Sequence, residues 1–414
     1  MQEAKTFYDI HLHAMDLSHP NILAFVKRVN GIGLKLVMGG IFLPFLKRKK
    51  ENILNLLSVM ENNIEDYFIL MEYYLKNKSR IVKNDNSFSI DGVIYNRIVL
   101  TPLLMDFGYK NIKTESFYDI PPQKSIVEQT YDVLKAIKKY CSCYLEKGVN
   151  GKVETKKRTE KNDLLFEIYP FLGINTQNYE KEKLVTMMEK YFGKYEGKRN
   201  DLFENMGKFD GGIDLTGSNV FAGIKLYPPL GFDPWPKRNK KEMDKVLWLY
   251  GFCEKKKIPL TAHCSEEGFN VDNKTNRRTT PKKWAAVLQK YPNLKLNLAH
   301  LGYRKNDLFF LQNKKWLNEV LRLIKEYDHV YTDFSCSAFD DKYYGWLSKL
   351  ISENKVYSDK MLFGSDYMIN LLSSKSYNFY LNTFFKTQKI EKSTKEKICT
   401  INPERFLFEE TEVK

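Results

Sequence analysis

Eight short apolar runs punctuate the chain. They are FYDIHLH (7–13), RIVLTPLLM (97–105), LLFEIYPFLGI (164–174), FAGIKLY (221–227), IPLTAHC (258–264), LKLNLAHLG (294–302), HVYTDFS (329–335) and MLFGSD (361–366). Runs of this length between polar stretches predict buried strands. Between the later ones lie helical patterns such as KEMDKVLWLYGFCEKKK, PKKWAAVLQKY and KWLNEVLRLIKEY. Strand alternating with helix predicts parallel βαβ units. His263 follows Lys225 by 38 residues, His300 follows His263 by 37, and Asp333 and Asp366 each follow by a further 33. Each interval holds one strand, one helix and two loops. Eight such units predict an α/β fold, a (β/α)8 TIM barrel, as a single domain over 1–414. No GxGxxG or GxxxxGK[ST] follows a strand, which weighs against a nucleotide-binding open sheet.

The first half is looser, and large, mainly helical insertions are expected between the first four strands, at 31–95, 107–163 and 176–218. Apolar residues at 53, 57, 60, 64, 67, 71 and 74 alternate four and three apart. That spacing predicts one helix seam of about three heptads, packed on the barrel or pairing two copies into a homodimer. The stretch 147–163 (KGVNGKVETKKRTEKND) lacks apolar periodicity and reads as an exposed loop. GIGLKLVMGGIFLPFL (31–46) is short for a membrane span and is interrupted by Lys35 and Pro44. It reads as a buried loop or lid, and no stable membrane association is expected.

Composition narrows this picture only a little. The 66 Lys and Arg against 51 Asp and Glu give a formal net charge of +15. The basic residues are scattered among acidic ones, which favours a Lys-rich solvated surface over a nucleic-acid partner. Six cysteines form no CxxC pair, and MQEAKTFYDIHLH lacks the charged and apolar regions of a signal peptide. A reducing, cytoplasmic setting is expected.

The polar residues at the strand ends carry the chemistry. His11 and His13 lie two apart on the first strand, so alternation points both to one face. His263, His300 and Asp366 end the fifth, sixth and eighth strands, so four of the six histidines occupy such positions. Lys225 ends the fourth, inside FAGIKLYPPL, where an ammonium must lose its charge, find a partner or be modified. HxH, Lys, His, His and Asp in this order predict a metal centre at the mouth of the barrel.

This constellation resembles the amidohydrolase superfamily, over nearly the whole chain. PKKWAAVLQKYPNLKLNLAHLG (281–302), RIVLTPLLMDFGY (97–109), YPFLGINTQ (169–177), LFGSDY (362–367) and NPERFLF (402–408) resemble its amidohydrolase 2 (amidohydrolase-related) branch. The resemblance implies a metal-dependent hydrolase in which metal-activated water attacks an amide, lactone or ester of a small, anionic substrate. It implies one or two divalent ions, zinc by choice of ligands, and Asp366 and His300 as catalytic groups. KLYP (225–228) resembles the site at which dihydroorotase-like members carboxylate a lysine. On that version His11, His13 and Asp366 hold one ion, His263 and His300 a second, and Lys225 bridges them. On the one-ion version His11, His13, His263 and Asp366 surround a single ion, Lys225 stays an amine, and His300 does acid/base work or orients the substrate. The same branch includes non-oxidative decarboxylases, and a barrel without catalysis that serves as a binding protein is a further alternative. Tyr227, Glu266, Tyr303 and Arg304, with Asp106 and Tyr367, are candidate pocket residues beyond the strand ends.

Overall fold

Each of the eight apolar runs contains a strand. The computed structural model describes residues 4–19, 44–107, 124–212, 216–266, 268, 275–302 and 314–408. In chain order its strands are β1 (Lys5–Leu12), β2 (Phe88–Ile90), β3 (Val93–Pro102), β4 (Cys143–Lys147), β5 (Val153–Lys157), β6 (Phe166–Ile168), β7 (Phe171–Ile174), β8 (Gly223–Leu226), β9 (Leu260–His263), β10 (Leu296–Ala299), β11 (Val330–Asp333) and β12 (Met361–Leu362). The third run yields two strands because Pro170, with no N–H to donate, interrupts it.

The fold is α/β with parallel sheets. One sheet pairs β3 in parallel with both β1 and β6, and adds β2 antiparallel. The second runs β12-β11-β10-β9-β8-β7, with every pair parallel. Hydrogen bonds join the two at both seams. Tyr169 N–H reaches Leu100 O at 2.9 Å and Leu104 N–H reaches Phe171 O at 3.1 Å. On the other side Ile10 N–H donates to Phe363 O at 3.2 Å, and Leu12 bridges Tyr367.

Burial on both faces explains why the strands read as continuous apolar runs. Tyr8, Ile10, Val99, Leu103, Tyr169, Phe171, Tyr331 and Leu362 come from both sheets and share one cluster with Phe406, Leu407 and Phe408. Phe7 faces the other way, with its ring 5.0 Å from Phe363 and 5.4 Å from Phe385.

The insertions differ from expectation in two places. The seam at 53–74 is not one helix. Helix α1 (Pro44–Met60) stops before Asn62-Asn63, and α2 (Tyr67–Tyr73) begins after a 3-10 turn at Ile64–Asp66. The Asn63 side chain accepts from Glu65 N–H at 3.0 Å, and Asn62 Nδ2 donates back to Ser58 O at 2.8 Å. Asparagine competes for backbone partners in this way, so it ends a helix that apolar spacing alone would continue. Tyr74, the last seam position, is 48% exposed. The segment 147–163 is exposed as expected but structured. β4 and β5 form an antiparallel hairpin around Asn150-Gly151, with Gly151 at φ +79°. Asn-Gly is a hairpin signal that a search for apolar periodicity overlooks.

Among the helices, α3 (Ile126–Ser142) opens on a Ser125–Glu128 capping box. The 176–218 insertion holds α4 (Lys181–Phe192) and α5 (Arg199–Asn205), and α6 (Lys240–Lys256) follows β8. Of the stretch 31–46, residues 31–43 lie outside the described residues, and so does part of the 107–163 insertion. No helix among the described residues is long and apolar enough to cross a membrane.

Candidate active site

His11 and His13 turn toward the same oxygen. His13 Nε2 lies 3.2 Å and His11 Nε2 3.5 Å from Asp366 Oδ1. The segment after β12 is held against β1 by Asp366 N–H donating to His11 O at 2.6 Å, and by His13 N–H donating to Tyr367 O. Gly364 lets the two backbones approach so closely, since a Cβ there would sit 2.6 Å from His11 Cβ. The β1–β3 register shifts between Asp9 and Leu12, a bulge beside the histidines of the kind that re-aims side chains.

Hydrogen-bond polarity fixes what these atoms offer. His13 Nδ1 is 2.9 Å from Leu103 O, and a carbonyl can only accept, so the ring proton sits on Nδ1. Its Nε2 is then a lone pair facing a carboxylate. His11 Nδ1 lies 3.0 Å from Asp333 Oδ2, leaving His11 Nε2 in the same condition. Two lone pairs and one carboxylate oxygen thus converge with no proton to share, a donor set that fits a divalent cation. The ligand atoms of His11, His13 and Asp366 all lie within 4.8 Å of one another, and all three residues are buried.

Burial drives the His11 imidazole down to about 3, with the Lys225 ammonium acting in the same direction. Burial acts to raise the Asp366 carboxyl, but the adjacent His13 and the nearby His11 and His300 outweigh it and hold the group below the usual carboxylate range. Asp366 Oδ2 has no hydrogen-bond partner among the described residues.

His263 and His300 meet each other. His300 Nε2 is 3.1 Å from His263 Nδ1, and the rings are 4.8 Å apart. His300 also lies 4.9 Å, ring to ring, from His11. The groups of three ligand-type residues at the strand ends are His11–His13–Asp366 and His11–His300–Asp333, among the described residues.

Lys225 is 1% exposed, and its Nζ lies 3.3 Å from His11 Nε2. Two other buried lysines show how this chain normally satisfies such a group. Lys245 reaches Thr176 O, Tyr179 O and Glu242 at 2.7, 3.0 and 2.7 Å. Lys395 reaches Asp91, Phe385 O and Thr387 O at 2.7, 3.3 and 2.5 Å. Among the described residues Lys225 has no oxygen within hydrogen-bond reach, only the more distant charges of Asp366 and Asp333. Burial pulls it down to about 8.

Asp333 was legible in the spacing as a strand end, yet sequence reasoning gave it no role. It is fully buried and takes hydrogen bonds from His11, Asn297, Ser335 and the His300 backbone. Burial opposes its charge, but His11 and these donors hold it well below the usual carboxylate range. The Thr-Asp-Phe-Ser end of the seventh run carried the signal, because it repeats the placement of Asp366.

Of the pocket candidates, Tyr227 packs against His263 with ring centroids 4.6 Å apart and planes tilted by 45°, and Glu266 is half-buried after β9. Asp106 serves the loop after β7, accepting from Asn175 N–H, Asn178 and Tyr179 at 3.0, 2.8 and 2.7 Å. Tyr367 packs between Tyr67 and Tyr377. Tyr303 and Arg304 lie outside the described residues. His300, Cys336 and Asp366 all adopt positive φ, at 66°, 58° and 56°. Non-glycine residues rarely do so, and here they cluster at three adjacent strand ends.

Parallel sheets with buried His and Asp side chains gathered at strand ends define an α/β protein with a metal-type donor set. Residues 215–408 match the family model Amidohydro_2, described as amidohydrolase. His11 and His13 lie outside the matched residues. No curated protein matches the sequence. The chain is similar to the solved structure of an amidohydrolase II (13% identity, TM-score 0.41, covering 98% of this chain and 99% of that one). It is also similar to a 2,6-dihydroxybenzoate decarboxylase from Rhizobium (12%, 0.43, 98% and 99%). An amidohydrolase from Burkholderia multivorans is a third (10%, 0.45, 98% and 100%).

Proposed function

We propose that the chain is a hydrolase on an eight-stranded (β/α)8 barrel, built around one divalent cation held by His11, His13 and Asp366. The observation that carries this reading is the convergence of His11 Nε2, His13 Nε2 and Asp366 Oδ1, all buried and without a proton between them. Zinc suits two imidazoles and a carboxylate. When bound, such an ion supplies Lewis acidity, lowering the pKa of water and polarising a carbonyl oxygen.

The protein's own groups do the rest. Asp366 is held as a carboxylate, and its unpartnered Oδ2 is free to accept a proton from an attacking water and return it to the leaving group. His263 and His300, in mutual contact, orient the substrate oxygen. Lys225 stays an amine with spare donor capacity and takes an anionic group of a small substrate. Tyr227, packed against His263, forms one wall beside it. The pairing of His263 with His300, rather than with Lys225, favours one ion over two.

Metal analysis and native intact mass of protein purified without chelator test this proposal. One equivalent of metal and no added mass support it. Two equivalents with the mass of one carboxylate replace it with the bridged, carboxylated Lys225 centre, and no metal after zinc or manganese is supplied overturns it. Assays of cyclic amides, lactones and esters, with CO2 release followed in parallel, separate hydrolysis from decarboxylation of an aromatic or unsaturated acid.

A further inference from the structure

We infer that Asp333 and Ser335 form one acceptor hub that sets the tautomers of His11 and His300 together, as positioning residues that keep both Nε2 atoms as lone pairs. The inference rests on the reading of the centre proposed above.

The polarity of the hub starts from the backbone, where it is unambiguous. The His300 and Ser335 N–H groups each lie 3.1 Å from Asp333 Oδ1 and can only donate, so that oxygen is an acceptor. The Ser335 hydroxyl is 2.5 Å from the same oxygen and gives its single proton there. Asn297 Nδ2 donates to the other oxygen, Oδ2, at 2.7 Å. With its proton committed, Ser335 Oγ presents only lone pairs to the two imidazoles. His11 Nδ1 is 3.1 Å and His300 Nδ1 2.9 Å away.

Each ring has a second acceptor on the same nitrogen. His11 Nδ1 faces Asp333 Oδ2 at 3.0 Å, and His300 Nδ1 faces the Ser335 carbonyl at 3.1 Å. Both protons therefore sit on Nδ1, and both Nε2 atoms are lone pairs. Asp333 and Ser335 are fully buried. The positive φ of Cys336 turns the chain directly after Ser335, whose N–H, Oγ and carbonyl all serve the hub. One buried group thus speaks to a ligand of the centre and to the substrate-orienting pair at once.

Asp333→Asn is the decisive substitution, because it keeps the shape and changes the polarity. The two backbone N–H groups claim the amide oxygen, so the new NH2 points at His11 Nδ1 and forces its proton to Nε2. Ser335→Ala removes one of two acceptors from each ring, and Ser335→Thr restores the hydroxyl. Two readouts apply to the full chain. One is zinc affinity by chelator competition; the other is histidine side-chain 15N NMR of the metal-free protein. We expect Asp333→Asn to lose about 10–100-fold in zinc affinity and to move the His11 proton to Nε2. Ser335→Ala should show a smaller loss, and Ser335→Thr should return close to wild type. Folded Asp333→Asn with unchanged affinity and unchanged nitrogen shifts overturns the hub. If Asp333→Asn does not fold, equal affinities of Ser335→Ala and wild type overturn it instead. A wild-type protein that binds no zinc sinks the proposed centre, while the 15N tautomers of the metal-free protein still decide the hub separately.

Discussion

His13 Nε2 and Asp366 Oδ1 face each other at 3.2 Å, with the His13 ring proton already committed to Leu103 O on the far side. Each atom is an acceptor, so the pair is stable only with a cation beside it or a second proton on the ring. This contact joins the two seam strands of the fold and sets the first expectation. His13→Ala should lower bound metal at least tenfold while costing only about 1–3 kcal/mol of stability through the Leu103 carbonyl left unpaired. Metal analysis and a thermal melt measure the two effects. Wild-type metal content in this variant would remove His13 from the centre.

Asp366→Asn should keep the fold and lose turnover by about 10²–10⁴-fold, the usual worth of a proton acceptor. Circular dichroism and an assay on whichever substrate the wild type turns over are sufficient. Retained turnover would reassign the base.

Lys225 yields a pH-dependent expectation. Its folded value of about 8 lies below the ordinary 10.5, so between those values the unfolded chain holds a proton that the folded chain does not. Stability of the metal-free protein should therefore rise with pH across that window. Lys225→Met should be more stable than wild type below pH 8, by up to about 3 kcal/mol, and lose that advantage as pH approaches 10.5. Urea unfolding at pH 7 and pH 10 checks the sign. A variant less stable than wild type at both values would mean that Lys225 is modified or better paired than an isolated amine.

Gly364→Ala places a methyl 2.6 Å from His11 Cβ. It should push β1 from the segment after β12, costing about 1–3 kcal/mol and weakening metal binding without touching a ligand. Unchanged metal affinity would show that this approach is not needed by the centre.

Lys245→Met tests the clamp on the loop after β7. Lys245 ties α6 to Thr176 O and Tyr179 O, and Asp106 clamps the same loop from the other side. The substitution leaves Glu242 buried without its cation and should cost about 3–5 kcal/mol, with faster proteolysis near 175–179. A melting temperature equal to wild type contradicts this.

The second half of the chain was the more legible one. Strand and helix alternate there at near-constant spacing, so Lys225, His263, His300 and Asp366 could be placed at strand ends from the pattern alone. The HxH pair was legible for a simpler reason, since alternation along β1 brings both rings to one side. Asp333 was passed over because its importance lies in contacts with His11 and Asn297, distant in sequence, which no local pattern encodes. The helix break at Asn62-Asn63 and the β4–β5 hairpin at Asn150-Gly151 were missed for the opposite reason. Both are set by one or two polar residues inside stretches that were read for their apolar period.

Asp9 accepts from Ser365 N–H across 356 residues of chain, beside the pair His11 and Asp366. β1 gains a neighbour when β3 has been made, but its other flank stays open until the ribosome has released the segment through Asp366. Until then His11 and His13 lack their carboxylate, so a nascent chain carries two exposed imidazoles and an unpaired strand edge through most of its synthesis. On the proposed function the centre can therefore form only late in the synthesis of this polypeptide, and a chain truncated before Asp366 lacks one of its three ligands however well its first strands form.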